Sequence, residues 1–128
     1  MLGVAVEQGI ALAVGVRDDN IIRGVTQGGQ PAFEYSLDEL QNRPDESNWS
    51  RYPLGVLWAI EQKGLKLEHG IDLAVVSNVP SGAGMSSSAA LELATACAVL
   101  EGVAHEFSRK DMVRICRYGE NNYVGVPC

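Results

Sequence analysis

The residues that can do chemistry are concentrated in one run, Pro80-Ser81-Gly82-Ala83-Gly84-Met85-Ser86-Ser87-Ser88-Ala89-Ala90. Its glycines let the backbone approach an anion with no side chain in between. Its consecutive serines add hydroxyl donors and one candidate metal ligand. The run follows an apolar stretch, Ile71 to Ser77, that reads as a strand, and it precedes Leu91 to Leu100, which reads as a buried helix. The first N–H groups of a helix have no internal partner, and the helix dipole favours negative charge there. A glycine-rich loop opening onto such an end suits a nucleotide phosphate. The same composition also suits a plain tight connection between strand and helix. Neither common nucleotide pattern is present. No lysine follows the glycines as G-x-x-x-x-G-K-[ST] requires, and no G-x-G-x-x-G opens a dinucleotide unit.

The elements that must hold this run in place follow from the rest of the chain. Gly9 to Val16 alternates loosely and reads as a strand, Ile21 to Thr26 as a second, and Ala32 to Ser36 as a third. The turns Arg17-Asp18-Asp19-Asn20 and Gln27-Gly28-Gly29-Gln30 separate them, which predicts an antiparallel meander. Residues 42–48 form a polar connection containing Pro44. Pro53 suits the first turn of a helix running to about Lys63, with Gly64 as its stop. The helix after the glycine-rich run is apolar nearly all round, so it belongs at the centre of the fold. Within it, Glu92 could touch a site at the loop, but it reads rather as a solvated or structural residue. Ser108-Arg109-Lys110-Asp111 resembles a capping box with Asp in place of Glu. It opens a helix to about Asn122, with Met112, Ile115, Cys116 and Gly119 inward.

Composition excludes several classes. At 128 residues with 46% hydrophobic side chains, the chain fits one domain and buries roughly two-thirds of its unfolded surface. The longest apolar stretch, Ala89 to Leu100, is interrupted by Glu92 and is too short to span a bilayer. No signal peptide is visible at Met1, and the expected location is cytoplasmic. A net charge of −6 disfavours nucleic acid and anionic membranes as partners. Any anionic nucleotide must then be held by local dipoles and metal. The cysteines, Cys97, Cys116 and Cys128, are odd in number and lack C-x-x-C spacing, which fits a reducing compartment. Cys97 and Cys116 read as small core residues. His69 and His105 stand alone in loop-like contexts and read as surface residues. Trp58 reads as core packing.

Three segments carry a family resemblance. Pro80, Gly82, Gly84, Ser87, Ser88 and Ala89 fit P-x-G-x-G-[LM]-[GS]-S-S-A, the second motif of the galacto-, homoserine, mevalonate and phosphomevalonate kinase superfamily. Glu120-Asn121-Asn122-Tyr123-Val124-Gly125-Val126-Pro127-Cys128 is similar to the galactokinase segment E-N-x-[FY]-V-G-x-P-C. Trp49-Ser50-Arg51-Tyr52-Pro53-Leu54-Gly55-Val56 is similar to W-x-x-Y-x-x-G-V of the same family. The three occur in the family's order, and the resemblance covers about Leu2 to Cys128.

The resemblance implies an α+β, two-layer sheet-and-helix domain like ribosomal protein S5 domain 2. It implies that residues 1–128 are a partial N-terminal ATP-binding domain. The first family motif, the catalytic aspartate and the C-terminal domain would then lie outside the chain, and Met1 to Glu7 would be the strand that follows the first motif. The implied cofactors are ATP and Mg²⁺, and the implied substrate is galactose, phosphorylated at its C1 hydroxyl. Pro80, Gly82, Ala83, Gly84, Met85, Ser86, Ser87 and Ser88 would wrap the phosphates, with backbone N–H groups of Gly82, Gly84, Ser86 and Ser87 donating. Ser88 would reach the metal, and Trp49, otherwise a packing residue, would wall the adenine pocket. Gly125, Pro127 and Cys128 would shape the sugar pocket, leading to an aspartate about four residues past Cys128. By itself the chain is then expected not to phosphorylate galactose. Two alternatives remain: another small-molecule kinase of the superfamily, and a non-catalytic sugar sensor or remnant. The E-N-x-Y-V-G-V-P-C ending argues against the first, and the intact Ser87-Ser88-Ala89-Ala90 against the second. Oligomeric state is not legible.

Overall fold

The computed structural model describes residues 5–43, 48–82, 84–102 and 107–127. The readings made at residues 1–4, Pro44, Ala83, His105 and Cys128 fall outside that set. Of the strand expected over Met1 to Glu7, the described residues 5–7 are exposed and belong to no strand. The elements are β1 (Ile10–Val16), β2 (Ile21–Thr26), β3 (Phe33–Ser36), a 3₁₀ helix (Leu37–Asn42), α1 (Arg51–Gln62), β4 (Ile71–Ser77), α2 (Ser87–Gly102), α3 (Arg109–Gly119) and a π-helical turn (Glu120–Val124).

The strands form one sheet in the order β1-β4-β2-β3. The meander therefore holds only for β2 and β3, which pair antiparallel. β4 enters between β1 and β2, antiparallel to the first and parallel to the second. The backbone around Gly70 shows how the entry is made. Arg17 N–H donates to Gly70 O at 2.9 Å, and Gly70 N–H donates to Asp19 O. A Cβ at Gly70 would lie 2.2 Å from Ile21 O, so only glycine fits inside the Arg17–Asn20 turn. The turn is thus held open around the start of β4 instead of closing a hairpin. Arg17 then ties β1 to β4, donating to Asp72 at 2.8 Å and to Asp19 at 2.7 Å.

Alternation sets the two faces. In β4, Ile71, Leu73 and Val75 are buried while Asp72, Ala74 and Val76 are exposed. α2 packs against β1, and α1 and α3 pack against α2 and against each other, so the helices form a second layer on the sheet. α1 is the innermost element: residues 53–60 are all buried. Gly64, at φ 92°, follows its end as the sequence requires. The Ser108 cap of α3 is present, its hydroxyl accepting from Asp111 N–H at 3.2 Å. A second cap, Glu39 accepting from Ser36 N–H at 2.7 Å, opens the 3₁₀ helix and was not read from the sequence. α2 is less central than its composition implies, because Leu93 and Cys97 are exposed. Cys97 is therefore not a core residue, whereas Cys116 is buried.

α1 and α3 touch through backbone. A Cβ at Gly119 would sit 2.6 Å from Gly55 O. Gly119→Ala gains about 1 kcal/mol of helix propensity but forces two helices apart, and overpacking of this kind costs about 1–3 kcal/mol or more. The overpacking term wins because the obstructing atom is backbone and cannot rotate away. Urea denaturation of Gly119→Ala should show a net loss of stability, and a gain would mean that the helices do not meet there.

Candidate functional site

The parallel pairing of β2 and β4 brings their carboxyl ends together, with Ile10 of antiparallel β1 opposite Ser77. The chain leaves this end of the sheet through the turn 27–30 and through the glycine-rich segment 78–86. The N-termini of α1 and α2 point to the same end. Between them lies a cleft of about 310 Å³. It is lined by Thr26, Gln27, Gly28 and Gln30 after β2, by Trp49 and Tyr52 of the α1 start, and by Ser81, Ser87, Ser88 and Leu91. Trp49 and the serines, far apart in sequence, thus share one cavity. The Trp49 indole N–H donates to Pro31 O at 2.8 Å, and its ring meets Phe33 edge-on at 4.9 Å. Trp49 is both a packing residue and a wall.

The loop has the backbone of an anion cradle. Gly82 (φ 74°), Gly84 (φ 69°) and Ser86 (φ 54°) are all left-handed. Left-handed residues set among ordinary ones turn successive N–H groups toward a common concavity. Pro80, Gly82, Gly84, Met85 and Ser86 are all exposed. α2 starts at Ser87, four residues before the helix read from the sequence, and Ala90 N–H donates to Ser86 O at 3.0 Å. Ser87 and Ser88 therefore occupy the first helical turn, where backbone N–H groups are unpaired.

Ser88 links α2 to the segment after α3. Its hydroxyl donates to Glu120 Oε1 at 3.2 Å. Glu120 is buried and begins the π-helical turn, whose end is closed by Gly125 and Val126 N–H donating to Glu120 O. Such turns recur at functional sites. The sequence reading missed Glu120 as a functional residue. Its signal was the inward face of α3, since Glu120 lies one turn past Cys116 and next to Gly119.

Glu92 was read as solvated or structural, and the structure removes the first alternative. Glu92 lies one turn after Ser88 and is 1% exposed, so it is not solvated. Its Oε1 has no hydrogen-bond partner among the described residues. Burial, and secondarily the charge of Glu120, push its carboxyl up to about 8. It is accordingly largely neutral at pH 7. Burial also pushes the Cys116 thiol up to about 12, which makes it a poor nucleophile.

The other site candidates are less gathered. Gly125 and Pro127 are exposed and do not line the cleft, and Cys128 lies outside the described residues. His69 is exposed, as expected. Among the described residues no cluster of three or more His, Cys, Asp or Glu could hold a metal, and no helix is long and apolar enough to cross a membrane.

Comparison with known proteins adds independent findings. Residues 51–128 match the family described as GHMP kinases N terminal domain. The chain is 35% identical over 127 residues to galactokinase of Bacillus subtilis, covering 97% of this chain and 32% of that protein. It is 42% identical over 117 residues to galactokinase of Streptomyces coelicolor, covering 90% and 30%. Among solved structures, Lactococcus lactis galactokinase complexed with galactose superposes with a TM-score of 0.86 at 25% identity, over 95% of this chain and 32% of that one. Methanococcus jannaschii mevalonate kinase superposes at 0.79 with 17% identity, over 91% and 37%, and shares the fold. The chain spans about a third of the length of the curated relatives it matches. The α+β, two-layer expectation holds, in the ribosomal protein S5 domain 2-like form.

The Glu92 environment has a measurable consequence. Between its ordinary value of 4.5 and about 8, the folded chain holds a proton that the unfolded chain has released. Stability contributed by this group is complete below pH 4.5 and is lost as pH rises toward 8. Urea unfolding in EDTA should show the wild type weakening across this window. Glu92→Gln, neutral throughout, should flatten the profile and be the more stable protein at pH 8. Parallel profiles would show that Glu92 is not buried beside Glu120.

Proposed function

Since the chain belongs to the family of GHMP kinases N-terminal domains, we propose that residues 1–128 are the ATP-binding part of a galactokinase, which phosphorylates galactose at its C1 hydroxyl. The observation that carries this reading is the shared cleft. Trp49, Ser87 and Ser88 come from different segments and converge beside the left-handed loop. In this reading the N–H groups of Gly82, Gly84, Ser86 and Ser87 hold the phosphates, and Trp49 walls the adenine pocket. Galactose is chosen because the galactokinase relatives match over nearly the whole chain. Gly125, Pro127 and Cys128 lead toward the sugar, and the catalytic aspartate falls beyond Cys128. The location that goes with this activity is cytoplasmic.

The residues also fit Mg²⁺. The Ser88 hydroxyl and the Glu120 carboxylate are hard oxygen donors already in contact, the donor type this ion prefers. Ser88 and Glu120 would hold it, and when bound it would neutralise charge on the phosphates. The protein's own part is positioning. The loop fixes the phosphate chain, and the first turn of α2 directs its dipole at developing negative charge.

Calorimetric titration of Mg-ATP into the chain should give binding, weakened about tenfold or more in Ser88→Ala. Equal affinity in the variant would remove Ser88 from the metal site, and no binding to the wild type would sink the nucleotide reading. A coupled assay with ATP and galactose should find no turnover by the 128 residues alone. Clear turnover would overturn the placement of the aspartate beyond Cys128.

A further inference from the structure

Both aromatic walls of the cleft are at the start of α1, yet they are anchored differently. Trp49 is fixed by its own hydrogen bond to Pro31 O. Tyr52 is fixed by a neighbour. The Arg51 guanidinium lies 5.0 Å from the Tyr52 ring centroid, and Arg51 Nη2 donates to Tyr52 Oη at 3.1 Å. One cation therefore holds the ring by its face and by its hydroxyl together. Arg51 forms no ion pair among the described residues, and its Nε is shielded from solvent without a partner there. A buried donor left unpaired is unfavourable. Such groups call for an explanation in terms of what their placement achieves.

We propose that Arg51 is a positioning residue that pins Tyr52 as the second aromatic wall of the nucleotide cleft, and so sets affinity for the base without touching the phosphates. The inference rests on the nucleotide reading above. Arg51 does not line the cleft, whereas Tyr52 does, so the guanidinium acts through the ring. A pinned ring spares the binding step the ordering of a side chain, worth about 0.5–1.5 kcal/mol, or roughly 2- to 13-fold in affinity. Lysine can keep a cation over the ring but loses the planar fork that reaches the hydroxyl at the same time.

The test compares two ligands. Mg-ATP and inorganic tripolyphosphate with Mg²⁺ are titrated calorimetrically into wild type, Arg51→Met, Arg51→Lys and Tyr52→Phe, with thermal unfolding run alongside. Arg51→Met should weaken ATP by roughly 2- to 13-fold and leave tripolyphosphate unchanged. Arg51→Lys should recover part of the loss, and Tyr52→Phe, which keeps the ring contact, should lose less than Arg51→Met. Equal ATP affinity in Arg51→Met and wild type overturns the proposal. So does a parallel loss for both ligands, which would mark a general structural role. A wild type that binds tripolyphosphate but not ATP refutes the base wall while sparing the loop. A wild type that binds neither refutes the nucleotide reading itself.

Discussion

The insertion of β4 between β1 and β2 is the constraint on which the rest of the structure depends. Because β4 runs parallel to β2, the two strands end at the same edge of the sheet. Everything that follows a strand end is delivered there: the turn after Thr26 and the glycine-rich loop after Ser77. Had β1 and β2 closed as a hairpin, β4 would have joined an outer edge, and the loop would open away from Thr26 and Trp49. Gly70 is the small device that permits the insertion, since a side chain there would collide with Ile21 backbone. The Arg17 bridge to Asp72 and Asp19 then closes the far end. These ion pairs are largely exposed and contribute little stability individually. Their effect is on register, since they match one end of β1 to one end of β4.

A second dependence runs through the helices. Gly119 lets α3 approach Gly55 of α1 to backbone contact. The chain leaves α3 there in a wider π-helical turn, and Glu120 is rotated onto Ser88. Glu92 lies behind this contact, buried and largely neutral. A second ionised carboxylate at that depth would repel Glu120 and lose its hydration. The neutral acid avoids both penalties. The helix packing and the electrostatics of the site are therefore one problem, solved by a glycine and a proton.

Much of this was legible in the sequence because it is local. Short apolar runs between turn residues placed β2 and β4 at their observed bounds, Gly64 stopped α1, and Ser108 with Asp111 opened α3. The glycine-rich connection into α2 was legible from glycine and serine spacing, and the family resemblance that it carries is upheld by the comparisons. Strand order was not, because pairing of β4 between β1 and β2 is a contact across more than forty residues and leaves no periodic mark. Glu92 was left open between a solvated and a structural role because an acid in an apolar helix looks like its solvated face. Only the approach of α3 shows that this face is covered. Cys97 was misread for the converse reason. Its apolar surroundings along α2 suggested a core position, yet one stripe of that helix faces outward at Leu93 and Cys97.

The loop geometry fits the anion proposed for it. Left-handed geometry is nearly free at Gly82 and Gly84 but strained at Ser86, by about 1–3 kcal/mol for a non-glycine residue. The first-turn N–H groups of α2 add unpaired donors at the same place. Both features are unfavourable in an empty loop and both are offset by one negatively charged group seated among them. The walls behave differently. Trp49 is held by Pro31 and Tyr52 by Arg51 before any ligand arrives. The site thus joins a rigid aromatic cleft to a strained, donor-rich loop. That division suits a ligand with a flat apolar end and a highly charged one, because the flat end needs fixed surfaces and the charge supplies the energy to order the loop.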